Sequence, residues 1–137
     1  MKILATILTT TMILTLGLIS NKNHKITATV VNVSSDQGKV SFALYDKETL
    51  MKAPLQAKNA EIVNGKSTVV FENVAPGDYA VVCFHDKNDN DKMDFQDNGM
   101  PMEDYGVSNN VMSFGPPKYL DGKFTVADED VNLEIKF

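Results

Sequence analysis

Between His85 and Asp97 the chain reads His85-Asp86-Lys87-Asn88-Asp89-Asn90-Asp91-Lys92-Met93-Asp94-Phe95-Gln96-Asp97, with oxygen-bearing side chains at the spacing that a wrapped calcium ion requires. With Asp86 as loop position 1, side-chain oxygens fall at 3 (Asn88), 5 (Asn90), 9 (Asp94) and 12 (Asp97), and Lys92 at position 7 offers its backbone carbonyl. The frame is self-consistent, because a start at Asp89 puts Met93 at position 5 and loses a ligand there. Position 6 is Asp91, where calcium loops have Gly for a left-handed turn, and Asp is among the few other residues that tolerate that conformation. Apolar Met93 at position 8 would pin the loop to a core.

Asp and Asn also favour turns without any metal, so a solvated turn between two strands is the competing reading. Five oxygen side chains in register exceed what a turn needs, and calcium is the cofactor expected from this pattern. Three of the ligands are carboxylates and two lysines share the loop, which points to a Kd of about 10⁻⁴–10⁻³ M, the range of extracellular modules. Glu103 follows six residues after Asp97, beyond Gly99 and Pro101, which can bend the chain back; it is a further candidate ligand.

The N-terminus has the pattern of a secretory leader: Met1-Lys2, an apolar and Thr-rich run from Ile3 to Ile19, then polar residues from Ser20. Cleavage after Ser20, with Gly17 the alternative point, would make residues 1–20 a signal peptide and place the rest outside the cytoplasm, secreted or periplasmic, with no membrane span left. The remaining stretch, residues 21–137, suits one domain with its own core. Cys83 is the sole cysteine, so no internal disulfide can hold an exported fold, which shifts the burden to the core or to a metal. Within Tyr79-Ala80-Val81-Val82-Cys83-Phe84 it reads as a buried, inert hydrophobe. The net charge of −5, without a single arginine, excludes nucleic-acid binding.

Period-two alternation dominates the elements that must carry the loop. Ile26 to Val33 reads as a strand, Ser34 to Gly38 as a turn, and Lys39 to Asp46 as the hairpin partner. Lys47 to Lys58 reads as an irregular crossover around Pro54. Ala60 to Val63 and Ser67 to Val74 flank Asn64-Gly65, a strong hairpin signal. After the Ala75-Pro76-Gly77-Asp78 turn, Tyr79 to His85 is a mostly apolar central strand that delivers the acidic loop. Asp86 to Pro117 is loop-like throughout, and that length suits a functional or metal-organised segment. Lys123 to Val126 and Val131 to Phe137 close the chain, with Val131, Leu133, Ile135 and Phe137 on one face. About seven short strands and no long helix predict an all-β, antiparallel two-sheet sandwich, immunoglobulin-like or transthyretin-like, with one long acidic loop.

The mature chain resembles a family of secreted bacterial proteins known as domain of unknown function 2141. The residues that carry the resemblance are Val74-Ala75-Pro76-Gly77-Asp78-Tyr79-Ala80-Val81, His85-Asp86-Lys87-Asn88-Asp89-Asn90, the run from Gly99 to Asn110, and Phe114-Gly115-Pro116-Pro117. The Pro-Gly-Asp-Tyr strand start is also similar to that of transthyretin-like and carboxypeptidase-regulatory sandwiches, which implies the same fold class by analogy. The family name implies no activity.

Tyr105-Gly106-Val107-Ser108-Asn109-Asn110 presents an aromatic and amides that could hold a sugar or peptide, or could cap the loop's own backbone. Cys83 and His85 share one strand face, but the only other histidine, His24, is expected at a frayed terminus, so zinc lacks ligands. Two function classes follow. One is a calcium-stabilised binding or adhesion module whose extracytoplasmic partner is a carbohydrate or a protein. The other is a small carboxylate-based hydrolase using Asp86, Asp94 or Glu103 around His85, although no nucleophile motif marks the chain as an enzyme.

Overall fold

A computed structural model describes residues 22–50, 52–111, 113 and 115–137. The expected leader, residues 1–20, and Phe114 of the family motif lie outside the described residues. The strands are β1 (His24–Val30), β2 (Lys39–Tyr45), β3 (Gln56–Ala60), β4 (Ser67–Val74), β5 (Gly77–Asp86), β6 (Tyr105–Val107), β7 (Phe124–Val126) and β8 (Val131–Ile135). A single helical turn, α1 (Tyr119–Gly122), precedes β7. The strands form a three-stranded sheet in the order β4-β1-β8 and a five-stranded sheet in the order β3-β2-β5-β6, with β7 also on β5. The sandwich expected from the sequence is present, and its pairs are antiparallel except for β1 and β8, which run parallel from Ile26↔Val131 to Val30↔Ile135.

The core lies between the sheets. Alternation along β1 buries Ile26, Ala28 and Val30, joined in the same sheet by Phe71 and Ile135; facing them are Val40, Phe42 and Leu44 of β2 and Val81 and Cys83 of β5. Burial holds the Cys83 thiol well above the usual range, as expected of an inert cysteine. In the last strand Ile135 is buried, Val131, Leu133 and Phe137 are half-buried, and Asn132, Glu134 and Lys136 face water, as their alternation predicts.

Two expected hairpins are not hairpins. β1 and β2 sit in different sheets, and residues 31–38 cross between them, with Val33 buried and its N–H bonded to the Gly65 carbonyl at 2.9 Å. Alternation specifies which residues face a core, not which strand lies alongside. Asn64 and Gly65 do form the expected tight turn, both at positive φ (52° and 74°), closed by Val63 and Lys66 in a single bridge. The strands on either side then diverge: β3 pairs with β2 and β4 with β1. β3 was hidden because Gln56-Ala57-Lys58-Asn59-Ala60 is a polar, mostly exposed edge with no apolar alternation. Its side chains reach the other sheet: Gln56 Nε2 donates to the Glu72 carbonyl (2.8 Å) and Lys58 Nζ to the Val70 carbonyl (2.6 Å), satisfying the edge of β4.

His24 is likewise not frayed. It opens β1, is buried, and its Nδ1 lies 3.4 Å from an Asp130 carboxylate oxygen. β6 was also missed, since a three-residue strand is too short to show a period. It passes so close to β8 that a Cβ on Gly106 would sit 2.7 Å from Ile135 Cγ2 and 2.8 Å from the Lys136 carbonyl. Gly106→Ala should therefore destabilise the fold by about 1–3 kcal/mol through overpacking, measured as a lowered midpoint in urea; an unchanged midpoint would show that the β8 tail yields freely.

Candidate functional site

Strand alternation fixes the roles of the residues at the end of β5. His85 shares the core face with Val81 and Cys83, while Asp86 points to the opposite face. His85 is buried, with Nε2 2.6 Å from the Gln37 carbonyl. Among the described residues no carboxylate pairs with His85, whose ring instead meets the Gln37 carbonyl.

Asp86 is both the last residue of β5 and the first of the acidic loop, and it has no exposed surface. Its carboxylate accepts from two backbone N–H groups of the chain curling around it: Asn90 to Oδ1 at 3.1 Å and Asp91 to Oδ2 at 2.9 Å. The curl needs left-handed residues, which Asp89 (φ 58°) and Asp91 (φ 65°) supply; Asp91 thus adopts the conformation expected of position 6. Gly38, itself at φ 75°, packs under the curl, and a Cβ there would overlap the Asp86 carbonyl and come within 2.8 Å of Lys87 Cα.

Inside the loop, Asn88 Nδ2 lies 2.7 Å from Asp94 Oδ2, and Asn90 Nδ2 lies 2.9 and 2.8 Å from the two Asp94 oxygens. A short hairpin then turns the chain back. Phe95 and Pro101 form a bridge, the Met102 N–H donates to the Asp94 carbonyl at 2.8 Å, and Gly99 turns at φ 84°. It delivers Glu103, whose Oε2 accepts the Asp94 N–H at 3.3 Å. Asn88, Asp94 and Glu103 line one open depression with Gln37, Lys87 and Met102. Amide oxygen and nitrogen have nearly the same shape, so turning the Asn88 amide over would present an oxygen to the same point, whereas the Asn90 oxygen already faces the Lys92 N–H. The amides of Asn88 and Asn90 hold the Asp94 carboxyl below the usual range, whereas burial pushes that of Glu103 up.

A second group occupies the outer side of the loop. Lys39, directly opposite Asp86 in the β2–β5 register, places its ammonium 2.7 Å from Asp89 Oδ1, in contact with Asp91 Oδ1, and 3.8 Å from Asp86 Oδ2. Hydrogen bonds to Asp89 and then Asp91 raise the Lys39 pKa. These three carboxylates lie close enough together to hold a metal ion. Of the residues singled out in the sequence, Asp86, Asn88, Asn90, Asp94 and Glu103 are therefore brought together. Lys92 is on the turn between them, its N–H held by Asn90 Oδ1 at 3.2 Å. Asp97 is not brought in: it lies exposed at the tip of the hairpin, and Glu103 comes to the loop instead.

Sequence reasoning passed over Lys39, Gly38, Asp89 and Asp91 as a unit. Only the pairing of β2 with β5 joins them, and no local pattern announces it. The amides after β6 are committed internally. Ser108 Oγ accepts the Val81 N–H at 3.1 Å and donates to the Gly122 carbonyl. Asn109 Nδ2 donates to the Asp121 and Lys123 carbonyls (3.2 and 2.8 Å). Asn110 pairs with the Glu134 carbonyl and the Lys136 N–H (2.9 and 2.8 Å). They cap backbone of β5, α1 and β8 instead of the loop's own.

Comparison with known proteins agrees with the family resemblance. The chain belongs to the family of uncharacterised proteins conserved in bacteria designated DUF2141, whose profile matches residues 28–134. No curated protein matches it. Among solved structures, a pilus-presented adhesin, Cpa, is similar over 86% of this chain and 27% of its own length, at 14% identity and a TM-score of 0.28. The chain thus spans about a quarter of that adhesin's length.

Two measurements check this geometry. Gly38→Ala should lower the melting temperature by several degrees and speed amide exchange at Asn90 and Asp91, because the added methyl at positive φ costs about 1–3 kcal/mol before the overlap with Asp86 is counted. In excess chelator, carboxyl-carbon NMR should show Glu103 protonating first as pH falls and Asp94 only below the ordinary Asp range. The reverse order would contradict the arrangement.

Proposed function

We propose that this member of the family is an exported β-sandwich module whose acidic loop closes around a calcium ion, the ion stabilising the fold and the module serving in binding or adhesion outside the cytoplasm. The observation that carries the reading is the curl around Asp86. A carboxylate that accepts the N–H groups of positions 5 and 6, with position 6 left-handed, is the arrangement a wrapped cation needs at the start of its loop. Asp94, Glu103 and, with its amide turned over, Asn88 then offer oxygen donors, which suit a hard cation and not zinc or copper. The loop is open and irregular, which favours calcium over the rigid octahedron of magnesium.

Export rests on the leader pattern of residues 1–20. Among the described residues no helix is long and apolar enough to cross a membrane. A cleft of about 400 Å³ beside β6, walled by Tyr105, Val107, Asn110, Lys136 and Phe137, supports a binding role with a carbohydrate or protein partner. Calcium enters this chemistry as a structural ion, neutralising acids that otherwise repel one another.

With a Kd of about 10⁻⁴ M and calcium at about 10⁻³ M, linkage adds about 1.4 kcal/mol of stability, a rise of several degrees in Tm for a domain of this size. Asp94→Ala should remove that increment, whereas Asp97→Ala should leave it, because Asp97 lies at the exposed hairpin tip. Asp94 is the better probe than Asp86, whose loss would also release two backbone N–H groups. Equal Tm in millimolar calcium and in excess chelator would overturn the reading.

A further inference from the structure

Lys39 differs from the other paired lysines. Its side chain is 20% exposed, against 59% for Lys25 and 60% for Lys136 in their ion pairs. It is therefore packed in place, and the β2–β5 register that sets Lys39 opposite Asp86 is what holds it there. A side chain already ordered by packing loses little further entropy in an ion pair, which is the usual reason surface pairs contribute so little. Its ammonium meets Asp89, Asp91 and, at 3.8 Å, Asp86 Oδ2.

Asp86 lies near two cation positions, its charge reaching Lys39 on one side and Glu103 on the other. One is the outer position held by the ammonium. The other is the inner position defined by Asn88, Asn90, Asp94 and Glu103. A carboxylate without exposed surface requires compensating charge whether or not a metal is bound. We infer that Lys39 is a tethered competitor for the loop's cation: it neutralises Asp86, Asp89 and Asp91 when no ion is bound, and it weakens calcium binding by repulsion and by its hold on Asp86. This rests on the calcium reading and deepens it. The loop keeps its curl without metal, and the affinity of the module is set by a residue 47 positions before Asp86, outside the loop.

The test is calorimetric titration of calcium into the full chain at fixed ionic strength, for the wild type, Lys39→Gln and Lys39→Arg. Removing one positive charge a few ångströms from a divalent ion in a solvent-exposed loop should tighten binding about tenfold, while Lys39→Arg, which keeps the charge, stays close to the wild type. In chelator Lys39→Gln should melt below the wild type, and calcium should restore it. A second readout uses the wild type alone: on calcium titration the Lys39 side-chain ammonium resonances should move as its partners are drawn inward. Binding by the wild type with no gain in Lys39→Gln, or Lys39 resonances that do not move, overturns the competition and leaves the calcium reading standing. Binding only by Lys39→Gln supports the competition in its strongest form. Absence of binding by all three folded proteins overturns the calcium reading, and the competition with it.

Discussion

A carboxylate with no exposed surface cannot stand alone, and the end of this sandwich is organised around one. Asp86 sits where β5 stops pairing, on the face turned away from the core. Desolvation would expel it unless donors and positive charge were supplied. The backbone supplies two N–H groups by curling through left-handed Asp89 and Asp91, and β2 supplies the ammonium of Lys39. Each contribution imposes a further condition. The curl can lie this close to the turn before β2 only because Gly38 has no side chain, and Lys39 is in reach only in the observed strand register.

The two sheets are joined by a related device, side chains acting as strand partners. Gln56 and Lys58 satisfy carbonyls on the edge of β4, and Asn110 pairs with both the carbonyl of Glu134 and the N–H of Lys136 beside β8. Asn32 does the same for the carbonyl and N–H of Phe137 at 3.0 and 2.9 Å. Asp36 accepts the N–H groups of Asn64 and Gly65, tying the inter-sheet crossing to the tight turn. Unpaired strand edges invite association with other chains, and covering them this way protects a small sandwich that has no disulfide.

The long segment after Asp86 is ordered in a sequence of small steps. The Asp94–Met102 hairpin returns Glu103 to the loop, Asp104 accepts the His85 N–H at 2.8 Å, and β6 then joins the free side of β5. The acids therefore divide into an outer group balanced by Lys39 and an inner group held by amides, so one stretch of high charge density is resolved into two different local environments.

Alternation along β1, β2, β5 and β8, the lone cysteine and the loop spacing were local properties. The amino-acid sequence by itself therefore determined a β-sandwich, its core-facing residues, the buried Cys83 and the loop in which the acids are concentrated. The left-handed turn at Asp91 was also legible, because backbone tolerance belongs to the residue. Which strands lie together was not, since an alternating strand fits beside any partner with the same inward face; only the packed sheets decided that β1 pairs with β4 and β8, and that Asn64-Gly65 links sheets instead of opening a ladder. The same reason governs the site. Asp97 matched the loop spacing yet stands at a hairpin tip, because hydrogen bonds three to eight residues apart turned the chain before reaching it. Lys39, 47 residues before Asp86, carries no local signal at all; the long-range register of β2 against β5 alone brings that charge to the loop.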